Sequence, residues 1–363
     1  MLKALLSHDL PRSRLLALLL LVAVLGLALT PFIFPGTKAL NVAAKILVFI
    51  VLVASYDLLL GYTGIVSFAH TMFFGIGAYG IAIASTRMGE GWAAVGTGLA
   101  GALIVSLLLS LLIGLFSLRV KAIFFAMITL AVASAFLTLA SQLSDFTGGE
   151  DGLNFKVPLA LQPGTEYLEE PLLGASIDGR FAAYYLLFFA TVALVLAMLR
   201  IVNSPFGRVL QAIRENDFRA EAIGYRSVVY RTLSNVLAAL FATCAGALLA
   251  LWLRYNGPDT SLSFEIMLDI LLIVVIGGMG TIYGAVIGSV LFVLAQSYLQ
   301  DLMKLGAGAV EGIPLLSQLI APERWLLWLG LLFVLAVYHF PTGIVGRLRA
   351  RALALRSLVV NKQ

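Results

Sequence analysis

Hydropathy along this chain comes in long apolar runs broken by short polar punctuation. Neither the strict alternation of half-buried strands nor the narrow stripe of a surface helix dominates. Windows of about twenty residues, enough for a helix to cross a bilayer core, select ten runs: 14–34, 39–60, 63–86, 92–117, 122–143, 181–200, 232–253, 264–281, 283–303 and 324–340. The pattern predicts an all-α, polytopic transmembrane helix bundle of about ten spans, with 1–363 forming a single integral membrane domain. Little more than a glycine-rich turn separates 39–60 from 63–86, or 264–281 from 283–303. The first run follows Lys3, Arg12 and Arg14, as a signal peptide would. It is as long as a full span, lacks a clear small-x-small cleavage site and precedes further spans, so it reads as an uncleaved helix.

Charge orients the spans. Cytoplasmic segments collect Lys and Arg, and an even span count puts both termini on one side. Arg119 and Lys121 lie in the 118–122 link, and Arg200, Arg208, Arg214, Arg219, Arg226 and Arg231 in the 200–231 loop. Arg347, Arg349, Arg351, Arg356 and Lys362 fill the 342–363 tail. With the basic N-terminus, these fit one side; the turn near Thr281 carries no charge. The 144–180 loop opposes Asp145, Glu150, Asp151, Glu166, Glu169, Glu170 and Asp178 to only Lys156 and Arg180. The expected topology has both termini and the 200–231 loop cytoplasmic, and 144–180 extracytoplasmic.

Composition supports a membrane protein and removes other classes. Of 363 residues, 61% are hydrophobic and 12% charged, whereas soluble domains carry about a quarter charged residues. A lone cysteine, Cys244, allows no intramolecular disulfide. His8, His70 and His339 show no metal-ligand spacing. There is no H-E-x-x-H, no nucleophile elbow and no G-x-x-x-x-G-K-[ST] phosphate loop. The expectation is a non-enzyme with no cofactor or metal of its own. The basic tail fits a topogenic, lipid-facing segment rather than a nucleic-acid patch.

The 203–224 segment is the most informative. Ser204 can cap a helix with Pro205 in its first position, and Gly224 can end it. At 100° per residue, Phe206, Val209, Leu210, Ile213 and Ala220 share one side, while Arg208, Glu215 and Arg219 gather opposite. Asp217 interrupts the apolar stripe. Two readings stay open: a helix lying at the membrane boundary with its arginines near lipid phosphates, or a helix docking its apolar anchors into a groove of a soluble partner.

Glycines mark two junctions between runs, 61–64 and 277–280. Irregular backbone at membrane depth needs protein or a water-filled cavity around it. Gly61, Tyr62, Gly64, Ser67 and His70, with Gly277 and Gly278, are therefore candidates for a substrate path. Gly280, Gly284 and Gly288 have the spacing of a helix-packing seam. Among ionisable residues in the runs, Asp57 and Lys45 stand twelve residues apart, about 18 Å along a helix, too far to pair. Asp57 reads as a buried structural group without an evident partner, and Glu265 and Asp269 as interfacial acids.

Four segments, in order, resemble the permeases of branched-chain amino-acid ABC transporters. They are Gly61-Tyr-Thr-Gly-Ile-Val-Ser-Phe-Ala-His70 with Phe74-Gly-Ile-Gly-Ala-Tyr79; Thr147-Gly-Gly-Glu-Asp-Gly-Leu153; Ser204-Pro-Phe-Gly-Arg208, Ala212-Ile-Arg-Glu-Asn216 and Glu221-Ala-Ile-Gly224; and Ile276-Gly-Gly-Met-Gly-Thr-Ile-Tyr-Gly284. The resemblance runs from about residue 40 to 345. The last part of the loop motif departs from the Glu-Ala-Ala-x-x-x-Gly pattern of other ABC importers.

The resemblance implies a multi-pass subunit of the bacterial inner membrane. Its partners would be a second homologous permease, two cytoplasmic ABC ATPases that hydrolyse ATP, an extracytoplasmic solute-binding protein and membrane lipid, with no nucleic acid. The loop would be the ATPase-coupling element, through Phe206, Arg208, Leu210, Ile213, Arg214, Glu215, Asn216, Glu221 and Gly224. Urea and short-amide permeases share the framework. An ion-coupled secondary transporter with broken helices is the alternative from another class; it would give no reason for a capped amphipathic helix between two spans.

Overall fold

In hydrocarbon a peptide group has no water to bond, so each long apolar run satisfies its own backbone as a helix. The computed structural model describes residues 13–117, 122–168, 176–309 and 321–349. Lys3, His8 and Arg12, the charged link Arg119 and Lys121, Glu169, Glu170, and the tail residues Arg351, Arg356 and Lys362 lie outside the described residues. Ten long helices occupy the ten expected runs: α1 Arg14–Ile33, α2 Thr37–Thr63, α3 His70–Met88, α4 Trp92–Ser117, α5 Ala122–Gln142, α6 Gly179–Val202, and, after two short helices described below (α7 and α8), α9 Ser227–Leu253, α10 Phe264–Gly277, α11 Ile282–Ala309 and α12 Trp325–His339. Among the described residues nine segments are long and apolar enough to cross a membrane. The remaining run, α3, has 19 residues, about 28 Å of helix.

The core is built around α2. Nearly all of it from Val42 to Thr63 is buried, whereas α1, α5 and α12 expose most of their apolar surface. Helices α3, α4 and α9 pack closely on one another: Thr243 of α9 donates its hydroxyl to Ser106 of α4 at 2.6 Å, and a Cβ at Gly77 of α3 would meet the Thr243 backbone. Without a hydrophobic drive between helices in lipid, small residues and buried hydroxyls supply such contacts.

The two ends of the bundle differ. At one end, Tyr185 of α6 donates to the Ala28 carbonyl of α1 at 2.8 Å, and Asp178 caps α6 by accepting from the Phe181 amide. There, β1 (Leu153–Asn154) pairs antiparallel with β2 (Tyr255–Asn256), pinning the acidic 144–180 loop to the α9–α10 connection. At the other end lie the Thr63 terminus of α2, the α10–α11 turn and the start of the tail, where Gly343 packs against Gly278.

The junction after α2 is longer than the sequence predicts. α2 continues through Gly61 and Tyr62 to Thr63, and Gly64, at φ 74°, ends it in the left-handed region. Residues 64–69 then form no regular structure, and α3 starts at His70 rather than residue 63. His70 bonds Ser55 at 2.9 Å, eight residues back along α2 from Thr63, about 12 Å of helix. The chain therefore turns back into the bundle before α3 begins. Beyond the exposed Gly64 this irregular stretch is buried or half-buried in protein, and the Phe68 amide donates to Thr129 of α5 at 3.0 Å, as irregular backbone at membrane depth requires.

Candidate functional site

The 203–224 segment is two helices, not one. Pro205 opens α7 (Pro205–Glu215), as its fixed φ favours. Ser204 takes the N-cap position, but its side chain makes no capping bond; its hydroxyl donates to the Ile201 carbonyl at 2.6 Å. Asn216 leaves helical geometry, and its side chain accepts from the Arg219 amide at 2.9 Å, capping α8 (Asp217–Ala222). Gly224 takes the left-handed conformation expected of it, with φ 98°. Asp217, which breaks the apolar stripe, pairs with Arg231 of α9 at 3.1 Å.

The expected apolar anchors are spent inside the chain. Leu210, Ile213 and Ala220 are buried, and Phe206 stacks on Tyr230 at 5.8 Å between centroids. These side chains hold α7 and α8 against the bundle, which corrects the reading that Phe206, Leu210 and Ile213 fill a partner's groove. The outward surface instead presents Arg208, Glu215, Asn216, Arg219, Glu221 and Gly224, together with the apolar Phe218 at 90% and Ile223 at 67% exposure.

One side chain of α7 reaches into the junctions. The Arg214 guanidinium donates to the Gly61 carbonyl in the last turn of α2. Its aliphatic stem passes where a Cβ on Gly64 would sit, at 3.3 Å, and its Nη1 lies 3.2 Å from where one on Gly280 would sit. Asp57, one turn back in α2 and 1% exposed, accepts from the Gly280 amide at 2.8 Å and lies beside the Thr281 amide and within electrostatic reach of Arg214. The α10–α11 turn supplies these amides because Gly278 and Gly280 both have positive φ. A Cβ on Gly61 would collide with the Asp57 carboxylate and the Gly280 amide. Asp57, Gly61, Gly64, Arg214 and Gly280 thus form one polar knot joining α2, α7 and the α10–α11 turn.

The remaining predicted path residues have internal partners. Ser67 and His70 are each 2% exposed. His70 bonds Ser55 and sits edge-on to Tyr56, and Ser67 accepts from the Ala69 amide at 3.4 Å. Tyr62 is buried in the core. Gly277 packs against the Gly284 backbone, and Gly288 against Ile273, so the glycine seam between α10 and α11 is a packing surface as its spacing predicts. The acids of α10 divide: Glu265 is exposed, but Asp269 is half-buried and accepts from Gln296 of α11 at 3.2 Å, which corrects its interfacial reading. Lys45 and Gln296, absent from the sequence-based site, belong with it; they come from different helices and share no local pattern.

Comparison with known proteins gives the relationship. Residues 38–337 match the family described as "Branched-chain amino acid transport system / permease component". The chain is 25% identical over 319 residues to the high-affinity branched-chain amino acid transport system permease protein LivM of Salmonella typhimurium, and equally to that of Escherichia coli; each alignment covers 84% of this chain and 74% of the relative. A probable branched-chain amino acid transport permease protein LivM of Methanocaldococcus jannaschii is 26% identical over 255 residues, 68% of each chain. No solved structure matches the chain.

Proposed function

The chain belongs to the permease-component family of branched-chain amino acid transport systems, and from that membership we propose that it is a permease subunit of a bacterial ABC importer for branched-chain or other hydrophobic amino acids. It works in the inner membrane beside a second, related permease. Two cytoplasmic ABC ATPases drive it and a solute-binding protein delivers the substrate. The end of the bundle carrying α7, α8 and both described chain ends faces the cytoplasm, where its arginines favour it. The 144–180 loop faces outward and receives the binding protein.

The observation that carries this reading is the knot around Arg214. α7 and α8 lie outside the spans with a polar edge free for a soluble partner. Besides the apolar packing of Leu210, Ile213 and Ala220, α7 makes a polar contact through Arg214 with the Gly61 carbonyl and the glycine turn before α11. Closure of the ATPases moves α7, and Arg214 carries that movement to α2 and the α10–α11 turn. Such a link is what a transporter driven by a separate motor requires. ATP binding and hydrolysis belong to the partners, and the chain needs no cofactor of its own.

Cysteines at Phe218 and Arg208 should cross-link to the companion ATPase in membranes. Uptake should vanish when the ATPases are deleted. Uptake that persists on an ion gradient alone, or labelling that places Phe218 outside the cell, would reject the proposal.

A further inference from the structure

A second polar cluster lies 12 residues from Asp57 on the same helix, towards the Thr37 end. Lys45 of α2, Asp269 of α10 and Gln296 of α11 line a cavity of about 430 Å³, within the roughly 300–1,000 Å³ typical of small-molecule sites. Phe49, Phe74 and Leu249 give it an apolar wall. Asp259 and Glu265 are the other ionisable side chains that line it.

The hydrogen-bond pattern is specific. The Lys45 ammonium donates to the Gln296 side-chain oxygen at 2.8 Å, and the Gln296 side-chain nitrogen donates to Asp269 at 3.2 Å. Lysine only donates and an ionised carboxylate only accepts, so this orientation of the amide is forced. One neutral side chain therefore offers an acceptor to the cation and a donor to the anion. An α-amino acid offers the same pair with full charges, a carboxylate and an ammonium on adjacent atoms. Each bond to Gln296 uses only part of its partner's capacity, one of three donors on Lys45 and one of several acceptor sites on Asp269.

A charge pair set in an apolar wall is costly unless it is satisfied. A zwitterion with a hydrocarbon side chain would satisfy both halves of this site at once. A small neutral molecule such as urea needs neither the two charges nor the apolar wall. We propose that this cavity binds a zwitterionic α-amino acid with an apolar side chain, its carboxylate on Lys45, its ammonium on Asp269 and its side chain against Phe49, Phe74 and Leu249. The assignment rests on the permease reading above and gives it a substrate site and a reason to prefer amino acids over urea or amides.

The test is equilibrium binding of radiolabelled L-leucine to the full chain with its companion subunits in lipid nanodiscs, with the solute-binding protein omitted. Saturable binding is expected, with Lys45→Met and Asp269→Asn each weakening it by about tenfold to a hundredfold, as loss of a charged hydrogen bond does. On the unaltered protein, leucinamide (no carboxylate) and 4-methylpentanoate (no ammonium) should each compete at least about tenfold more weakly than leucine. This second arm holds even if a variant fails to fold. A purely structural network would lower the melting temperature of both variants and leave their leucine Kd as in the unaltered protein, and leucinamide and 4-methylpentanoate would compete no more weakly on Lys45→Met and Asp269→Asn than on the unaltered protein. That result, with leucine uptake intact, overturns the site and spares the permease reading. A complex that binds and carries urea but not leucine overturns both.

Discussion

The two polar clusters on α2 are built for different work. Near the Thr37 end, Lys45 meets side chains, Gln296 and through it Asp269, around a cavity. Near the Thr63 end, Asp57 is packed, and its partner is a backbone amide, that of Gly280, while Arg214 holds the neighbouring Gly61 carbonyl. Side chains can trade partners by changing rotamer. A backbone amide moves only with the segment that carries it, here the α10–α11 turn. The first cluster is therefore suited to exchange bonds with a ligand and the second to pass displacement between elements. One rigid helix carries both.

Substitutions sharpen that contrast. The largest effect is expected at Gly61, where a Cβ would strike the Asp57 carboxylate and the Gly280 backbone. Gly61→Val should cost about 3 kcal/mol by overpacking and abolish uptake, seen as a drop in melting temperature and a loss of transport. Asp57→Ala leaves the Gly280 amide without its acceptor, about 1–3 kcal/mol, while Asp57→Asn keeps an oxygen there and should recover much of the stability. If Asp57→Ala melts like the unaltered protein, the knot is not a structural joint. The smallest effect is expected at Asp301, which pairs with Lys38 near the open end of α2 with both side chains more than half exposed. Asp301→Asn should change stability by less than about 1 kcal/mol and leave uptake unchanged. A large loss there would mean that the Thr37 end is also a joint.

Much of this fold is written locally. A run of about twenty apolar residues has one answer in a bilayer, so all ten long helices occupy expected runs. Pro205 and Gly224 mark the amphipathic segment correctly, and the Gly280–Gly288 spacing gives the packing seam. What was not legible depends on contacts across the sequence. Asn216 splits α7 from α8 because its side chain finds the Arg219 amide, a choice that periodicity does not encode. The apolar face of α7 reads the same whether it meets a partner or its own bundle, and here it meets the bundle. Arg214 and Gly61 are 153 residues apart, and Lys45 and Gln296 are 251 apart. No local pattern pairs the members of either junction, because each is made when helices from distant parts of the chain pack together. The resemblance to amino-acid permeases pointed to the loop and the glycine turns without showing that one arginine ties them.

The central claim is that Arg214 transmits movement of α7 to the membrane helices. It is tested most directly by the ratio of substrate imported to ATP hydrolysed in the reconstituted transporter, with Arg214→Met compared against the unaltered chain. The account predicts that the variant complex assembles and hydrolyses ATP while import per ATP falls by about tenfold or more, the scale of losing a charged hydrogen bond. An unchanged ratio in a properly assembled complex would contradict it.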